Sequence, residues 1–413
     1  MACLRLLNYS NSLYNSHYFK LLTSVDFNNF QSVKFFTYFS KMNVTNEVSI
    51  IGGGLAGLTA AIDLLNRNFK VVVFEKNEYP KHKVCGEFIS NEVLPYLENL
   101  GLNIESLQPT HIYKTELSTH SGKIIETKLP LGGFGVSRYK LDAYLAKEVL
   151  ELGGKIIFET VKTIDFSDDN FMISTQSNEV FHSKVALGAF GKRSNLDVEL
   201  KRKFIQQKSP WLGVKAHYSG DFPNDLVGLH NFAGGYCGIS KVEDNAINIC
   251  YLVQFESFKK YKNIAEFQEN VMFKNKNLTE IFNESKIIFD NPLTISQISF
   301  EDKPKIENHV LMLGDSAGLI HPLCGNGMAM AIHSAKIASE LVADFLDNKI
   351  SRANLEANYT SIWNKTFKNR LKFGKFLSKL LLNPYLSKVT MNLLLVFPFL
   401  LPIIIKKTHG NPL

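Results

Sequence analysis

Apolar and polar positions along this chain follow two periods, and they alternate in blocks. Glu47–Ile51 is a short apolar run of strand length. Gly52-Gly-Gly54-Leu-Ala56-Gly57 follows, with a helical pattern predicted from about Leu55 to Asn66. Lys70–Phe74 is a second strand-like run, ending at Glu75 and Lys76. Alternation then marks His111–Leu117, Ile124–Leu129, Leu212–Tyr218, Gly234–Ile239 and Ala246–Gln254, enough for an antiparallel sheet, while Asn263–Asn291 reads as mostly helical. Val310–Leu313 is again a buried strand. It runs through Gly314-Asp315-Ser-Ala-Gly318 into His321-Pro322-Leu-Cys-Gly325-Asn326-Gly327-Met328, with a helix predicted over Ala329–Leu346.

The two ends differ from this pattern. Residues 1–41 are aperiodic and basic, and Met42 stands just before the first strand. A transit peptide and a start at Met42 both fit, and the segment is left out of the fold. Between Lys365 and Leu382, Phe367, Leu371, Phe373, Phe376, Leu377, Leu380 and Leu381 recur among lysines at near-helical spacing. Met391–Ile405 then carries no charge but is interrupted by Pro398 and Pro402. A spanning helix needs about 20 apolar residues, so none is expected. The tail either lies in a membrane interface as a basic amphipathic helix with an apolar wedge or packs over its own protein.

Composition changes the picture in few places. Phenylalanine is abundant, with 31 residues, which suits a large core or a cavity for an apolar ligand. The five cysteines are scattered and odd in number, which fits a reducing, cytoplasmic compartment and no metal site. Net charge is +7, yet the residues after Glu356 carry nine positive charges and no acid, leaving the rest at −2. The chain is thus near neutral with a basic tail. No basic groove with stacking aromatics is visible, which argues against nucleic acid as a partner.

The first glycine turn has a definite chemistry. Gly52 permits a tight turn, Gly54 lets the backbone approach a pyrophosphate, and Gly57 lets helix and strand pack closely. The helix N-terminus offers free N–H groups to phosphates. Glu75 is placed to accept hydrogen bonds from an adenosine ribose, beside Lys76. In the second motif, Asp315 at a strand end can take ribityl hydroxyls. Pro322, Gly325, Asn326, Gly327 and Met328 bring a helix N-terminus to a flavin's pyrimidine edge. The dinucleotide is therefore expected to be FAD.

With these motifs the chain resembles the FAD-dependent superfamily of aromatic hydroxylases, flavin halogenases and geranylgeranyl reductases, over roughly Val44 to Leu346. Gly318, together with Lys83-Val-Cys85-Gly86-Glu87, resembles the geranylgeranyl-reductase branch most. Arg138, in Val136-Ser-Arg138-Tyr-Lys-Leu-Asp142, matches the arginine that approaches FAD in this superfamily. The superfamily's usual Asp-Gly is replaced by Ala189-Phe190-Gly191, followed by Lys192 and Arg193, and no second dinucleotide turn exists. The resemblance implies that NAD(P)H docks transiently, or that a partner such as a reductase or ferredoxin supplies electrons.

The expected fold is α/β (α+β): a glutathione-reductase-type, Rossmann-like FAD domain over 43–110, 131–195 and 300–350. An antiparallel substrate sheet is inserted over 111–130 and 196–299, and a basic helical tail spans 351–413. Candidate chemical residues are Cys85 and Glu87, which border flavin and substrate in the reductases, and His321, a proton relay or a satisfied structural histidine. The absence of tryptophan around Cys237 argues against halogenation. The expected activity is FAD-dependent oxidation or reduction of a hydrophobic small molecule, phenolic, polyketide or prenyl. Its alternatives are prenyl double-bond reduction fed by a partner, and a non-catalytic flavin-binding protein at a membrane.

Overall fold

The computed structural model describes residues 45–207, 209–296 and 298–413, so the 1–41 extension lies outside it. The strand Thr45–Ile51 occupies the middle of a mostly parallel sheet. Val48 and Ile50 are fully buried there, as expected for a strand covered on both faces. It is flanked by the parallel strands Val71–Phe74 and Val180–Gly188. Lys155–Ile157 extends one side, and Val310–Met312 then Ile306–Glu307 extend the other. Val161–Ser167 and Asn170–Thr175 add an antiparallel extension.

Helices Leu55–Asn66 and Gly327–Leu346 bury Ala60, Ala61, Ala335 and Ala338 in the core of this sheet. Those small side chains let the helices approach closely enough for the Ser339 hydroxyl to reach the Ala60 carbonyl. The core also takes in the front half of the helix Arg352–Leu382 through Leu355, Tyr359, Trp363 and Phe367, spaced i, i+4. The Tyr359 hydroxyl donates to the Met312 carbonyl. That part of the 351–413 segment is structural core and not an appended tail.

The second sheet has two unlike faces. On strands Trp211–Ser219, Gly235–Lys241 and Ile247–Gln254, one set of side chains, including Val214, Ile239 and Ile249, packs with Phe267 and Leu278 from helices Ile264–Asn270 and Lys276–Asn283. The opposite set, Trp211, Lys215, His217, Tyr236, Asn248 and Cys250, meets loops of the first sheet. A third apolar cluster lies beyond it, joining Trp211, Tyr236 and Leu252 to Leu381, Met391, Leu394 and Leu401 of the C-terminal helices.

The expected elements are found with four departures. The strand expected to stop at Leu129 runs on to Gly135, because a bulge takes up Pro130, which lacks an N–H, and Gly132 at φ +69°. Residues 131–135, and Phe88–Ser90 paired with them, therefore belong to the second sheet and not to the first. The strand Leu226–Phe232 was hidden by its polar His230 and Asn231, which are buried on Ser118. Its parallel pairing with Thr110–Ser118 makes the second sheet mixed. Finally, helix gives way after Asn283 to the strands Lys286–Ile287 and Leu293–Ser296.

Phe367 is fully buried against Trp363 and His333. Phe367→Ala should cost about 3–5 kcal/mol, read as a lower urea midpoint with an unchanged slope. A variant as stable as the parent would show that this helix is dispensable to the core.

Candidate functional site

The first glycine turn is fixed by contact. Gly52 has φ +113°, and a Cβ there would lie 2.3 Å from the Ala189 oxygen. A Cβ on Gly57 would lie 2.0 Å from the Gly52 oxygen. Both positions are closed to side chains, which is what the strand–turn–helix needs. The helix begins at Gly54 with no side-chain cap and no acid in its first turn, so its N–H groups stay available to an anion. Ala56 is buried, with its Cβ 3.1 Å from where one on Gly314 would stand, so the two flavin motifs touch. Glu75 accepts from Gly53 N–H (3.0 Å) and Asn77 N–H (3.1 Å), while Tyr79 donates to the Gly53 carbonyl (2.5 Å). Lys76 is exposed.

Two cations stand over this turn. The nearest atoms to a Cβ built on Gly54 are Arg138 Nη2 (3.5 Å) and Lys83 Nζ (3.9 Å). Both are held by the buried Asp142, Arg138 through two 2.7 Å hydrogen bonds and Lys83 at 3.0 Å. Burial opposes the charge on Asp142, but Arg138 and Lys83 outweigh it and hold the carboxyl below its ordinary range. This cradle of N–H groups and fixed cations fits a pyrophosphate.

The loop carrying Cys85 and Glu87 bridges the two sheets. Glu87 has φ +54° and is fully buried. It accepts from Lys215 Nζ (2.6 Å), His217 Nε2 (2.7 Å) and the Arg138 N–H (2.8 Å). Against burial, these partners keep its carboxyl ionised. It is thus held as a carboxylate, with every identified donor aimed at it, rather than as a protonated acid. His82 completes a group of three potential metal ligands with Glu87 and His217. The Lys215 ammonium already supplies the cation that Glu87 needs, so a divalent ion would add charge to a neutralised site. Burial beside Lys215 and His217 pushes the His82 pKa down to about 4. Cys85 is half-buried, with its carbonyl and that of Gly86 held by Asn248 Nδ2 (3.3 and 2.8 Å). Lys192 donates to the Val84 carbonyl (3.0 Å), so it braces this loop.

The second motif forms the other wall. Gly314, Asp315, Gly318, Gly327, Met330 and Trp363 line a narrow cleft. The Asp315 carboxylate makes no hydrogen bond among the described residues, so it is free for a ligand hydroxyl. Gly325 adopts φ +63°, which turns the chain after the Pro322 turn. Asn326 donates to Glu92 (3.1 Å) while its own Oδ1 is buried without a partner. The Gly327 helix, like the first, starts without a side-chain cap, and Met328 is buried. An orphaned acceptor, two open helix ends and a free carboxylate fit a flavin nucleotide.

His321 lies in an aromatic box of Phe300, Trp211 and Tyr236, at 4.7, 5.7 and 5.8 Å between ring centres. Its Nδ1 accepts from Leu323 N–H, which places the proton on Nε2, and Nε2 has no partner. Burial lowers its pKa to about 3. At neutral pH it is an uncharged donor. The sequence singled out neither Lys83 nor Asp142 as a site residue. Asp142 was legible as the i+4 partner of Arg138, whereas Lys215, His217 and Trp363 carried no local signal.

A sequence-family profile described as an NAD(P)-binding Rossmann-like domain matches residues 50–84. The chain is 23% identical to conditioned medium factor receptor 1 of Dictyostelium discoideum over 365 residues, 80% of this chain and 70% of the relative. It is 25% identical to the digeranylgeranylglycerophospholipid reductase of Methanocaldococcus jannaschii over 367 residues, 82% and 88% of the two chains. Squalene monooxygenase of Mus musculus matches at 22% over 346 residues, 77% of this chain and 58% of that one. In structure, the flavin-dependent halogenase CmlS superposes with a TM-score of 0.70 at 17% identity, over 80% of this chain and 65% of the halogenase.

Lys83→Met removes one cation from the turn but leaves Asp142 paired with Arg138. It should weaken FAD binding by roughly tenfold, measured by flavin fluorescence titration, and an unchanged Kd would remove Lys83 from the site. Glu87 has a depressed pKa, so its contribution to stability is present above the unfolded value of about 4.3 and lost as pH falls below it. Glu87→Gln should therefore flatten the acid limb of the stability profile. Parent and variant unfolding in parallel below pH 5 would contradict this.

Proposed function

We propose that this chain, a member of the FAD-dependent oxidoreductase superfamily, reduces a carbon–carbon double bond in an apolar, isoprenoid-like lipid, using electrons delivered by NAD(P)H. The observation that carries this reading concerns the C-terminal helices Pro384–Val396 and Leu400–Thr408. Inward, Met391, Leu394 and Leu401 close the apolar cluster containing Trp211 and Tyr236. Outward, the same pair exposes Val396 (68%), Phe399 (62%), Val389 and Ile403. An element apolar on both sides links a lipid phase to an apolar interior. Among the described residues no single helix is long and apolar enough to cross a membrane, and this pair is bent by 119°. Lys388, Lys406 and Lys407 accompany it, which suits a peripheral contact with anionic lipid.

The reaction needs few protein groups, because bound flavin supplies the hydride. Lys83, Arg138 and the glycine turn hold the pyrophosphate, and Asp315 holds the ribityl chain. The uncapped Gly327 helix favours negative charge at the ring's pyrimidine edge. Cys85 is the candidate donor of the proton that balances hydride addition, its thiol regaining the proton from water. Trp211, Tyr236 and Leu252 orient the chain and keep water out. The likeness to squalene monooxygenase supports a second reading, oxygen insertion at such a double bond.

The test is anaerobic mixing of the FAD-loaded protein with NADPH or NADH, followed by incubation with polyprenyl lipids and mass spectrometry. Bleaching of the flavin and a product with two added hydrogens is expected. A product formed only with O2 and carrying oxygen would replace reduction by oxygenation. A flavin reduced by dithionite but by neither nicotinamide would overturn NAD(P)H as donor and point to a partner protein. For membrane contact, Phe397→Glu with Phe399→Glu should lower co-sedimentation with anionic vesicles at least tenfold. These substitutions leave the core helix Arg352–Leu382 intact. Unchanged binding would leave the helices only their packing role.

A further inference from the structure

Behind the Asp315 turn, three long cationic side chains converge from outside the flavin motifs. Lys303 Nζ donates to the Asp315 carbonyl (2.8 Å), Arg202 Nη2 to the Ser316 carbonyl (2.8 Å) and Lys305 Nζ to the Ala317 carbonyl (3.1 Å). Three successive carbonyls of one turn thus each end on a different cation. All three side chains are buried.

Their charges are incompletely matched. Arg202 pairs with the buried Asp197 (2.9 Å) and lies 3.9 Å from the half-buried Glu307. Lys305 reaches Asp302, which is 88% exposed and largely screened by solvent. Lys303 has no carboxylate within ion-pair distance among the described residues. Its ammonium lies 4.4 Å from the centre of the Phe204 ring, and burial pulls its pKa down to about 8. It is therefore still mostly charged at neutral pH. The Lys305 ammonium lies 4.0 Å from the centre of the Trp363 ring, which also lines the Asp315 cleft. Buried cations in excess are costly unless an anion or fixed dipoles compensate them. Here the turn carbonyls and the nearby Asp315 and Asp197 carboxylates do part of this, and a flavin nucleotide, whose phosphates and reduced ring are anionic, would add to it.

We infer that Arg202, Lys303 and Lys305 form an electrostatic cradle that positions the Asp315 turn and makes the protein hold reduced flavin more tightly than oxidised flavin, raising its reduction potential. This rests on flavin binding at that turn. The three act through the turn and are positioning residues. Glutamine separates charge from geometry, because it keeps an N–H for the carbonyl and removes the positive charge.

The experiment compares the parent chain, Lys303→Gln, Lys305→Gln and Lys303→Arg, each loaded with FAD. The midpoint potential is measured by equilibration with reference dyes, and the Kd for oxidised FAD by fluorescence. Each glutamine variant should lose about tenfold in its preference for reduced over oxidised flavin, a fall of about 30 mV for a two-electron couple. Lys303→Arg should restore the parent potential. If Lys303→Gln fails to fold, Lys305→Gln carries the same comparison. Parent-like potentials in the folded glutamine variants, whatever happens to Kd, would overturn the inference and leave a purely structural role. A parent chain that binds no FAD would overturn the flavin reading, and this inference with it.

Discussion

The arrangement hangs on one buried carboxylate. Glu87 lies at the seam between the two sheets, where it meets Lys215 and His217 from the second sheet and the N–H of Arg138 at the start of the helix Arg138–Glu151. A buried charge with a missing partner is strongly destabilising, so the seam is specified rather than merely apolar. The positive φ of Glu87 keeps this geometry despite its local strain. Through Arg138 the same contact sets the start of the helix whose guanidinium stands over the glycine turn. Positioning of the phosphate cradle and docking of the substrate sheet are one event.

Electrostatics grade smoothly across the site. Cations stand over the first turn and behind the second. Toward the third apolar cluster, His321 is uncharged in its aromatic box. Such a gradient suits a cofactor that is charged at one end and must react with an apolar molecule at the other. Water excluded from the apolar end strengthens every contact made there.

The C-terminal half illustrates how one sequence pattern serves two purposes. The i, i+4 spacing of Leu355, Tyr359, Trp363 and Phe367 packs this helix on the core and brings Trp363 to the cleft beside Asp315. The more apolar stretch beyond bends back and ends with Gly410 and Leu413 donating to Glu92, which also holds Asn326 beside the flavin edge. The chain terminus is therefore joined to the cofactor loop through a buried acid.

The two glycine-motif segments were legible in the sequence because their constraints are local. A strand, a turn closed to side chains and a helix end sit within one short segment, where backbone approach closes Gly52 and Gly57 to any side chain and Glu75 accepts from the Gly53 N–H. The alternating strands of the second sheet were legible for the same reason. Where polar residues are buried on partners far along the chain, as His230 is on Ser118, the alternation breaks and the strand was invisible. The roles of Glu87 and His321 were open in the sequence, because a side chain's proton depends on neighbours: Lys215 fixes one as an anion, and three aromatic rings fix the other as neutral. The cations Arg202, Lys303 and Lys305 show the same limit. Local backbone geometry is written residue by residue, whereas charge and protonation are set by tertiary contacts, among them Lys215 with Glu87 and Arg202 with Ser316, which exist only after folding.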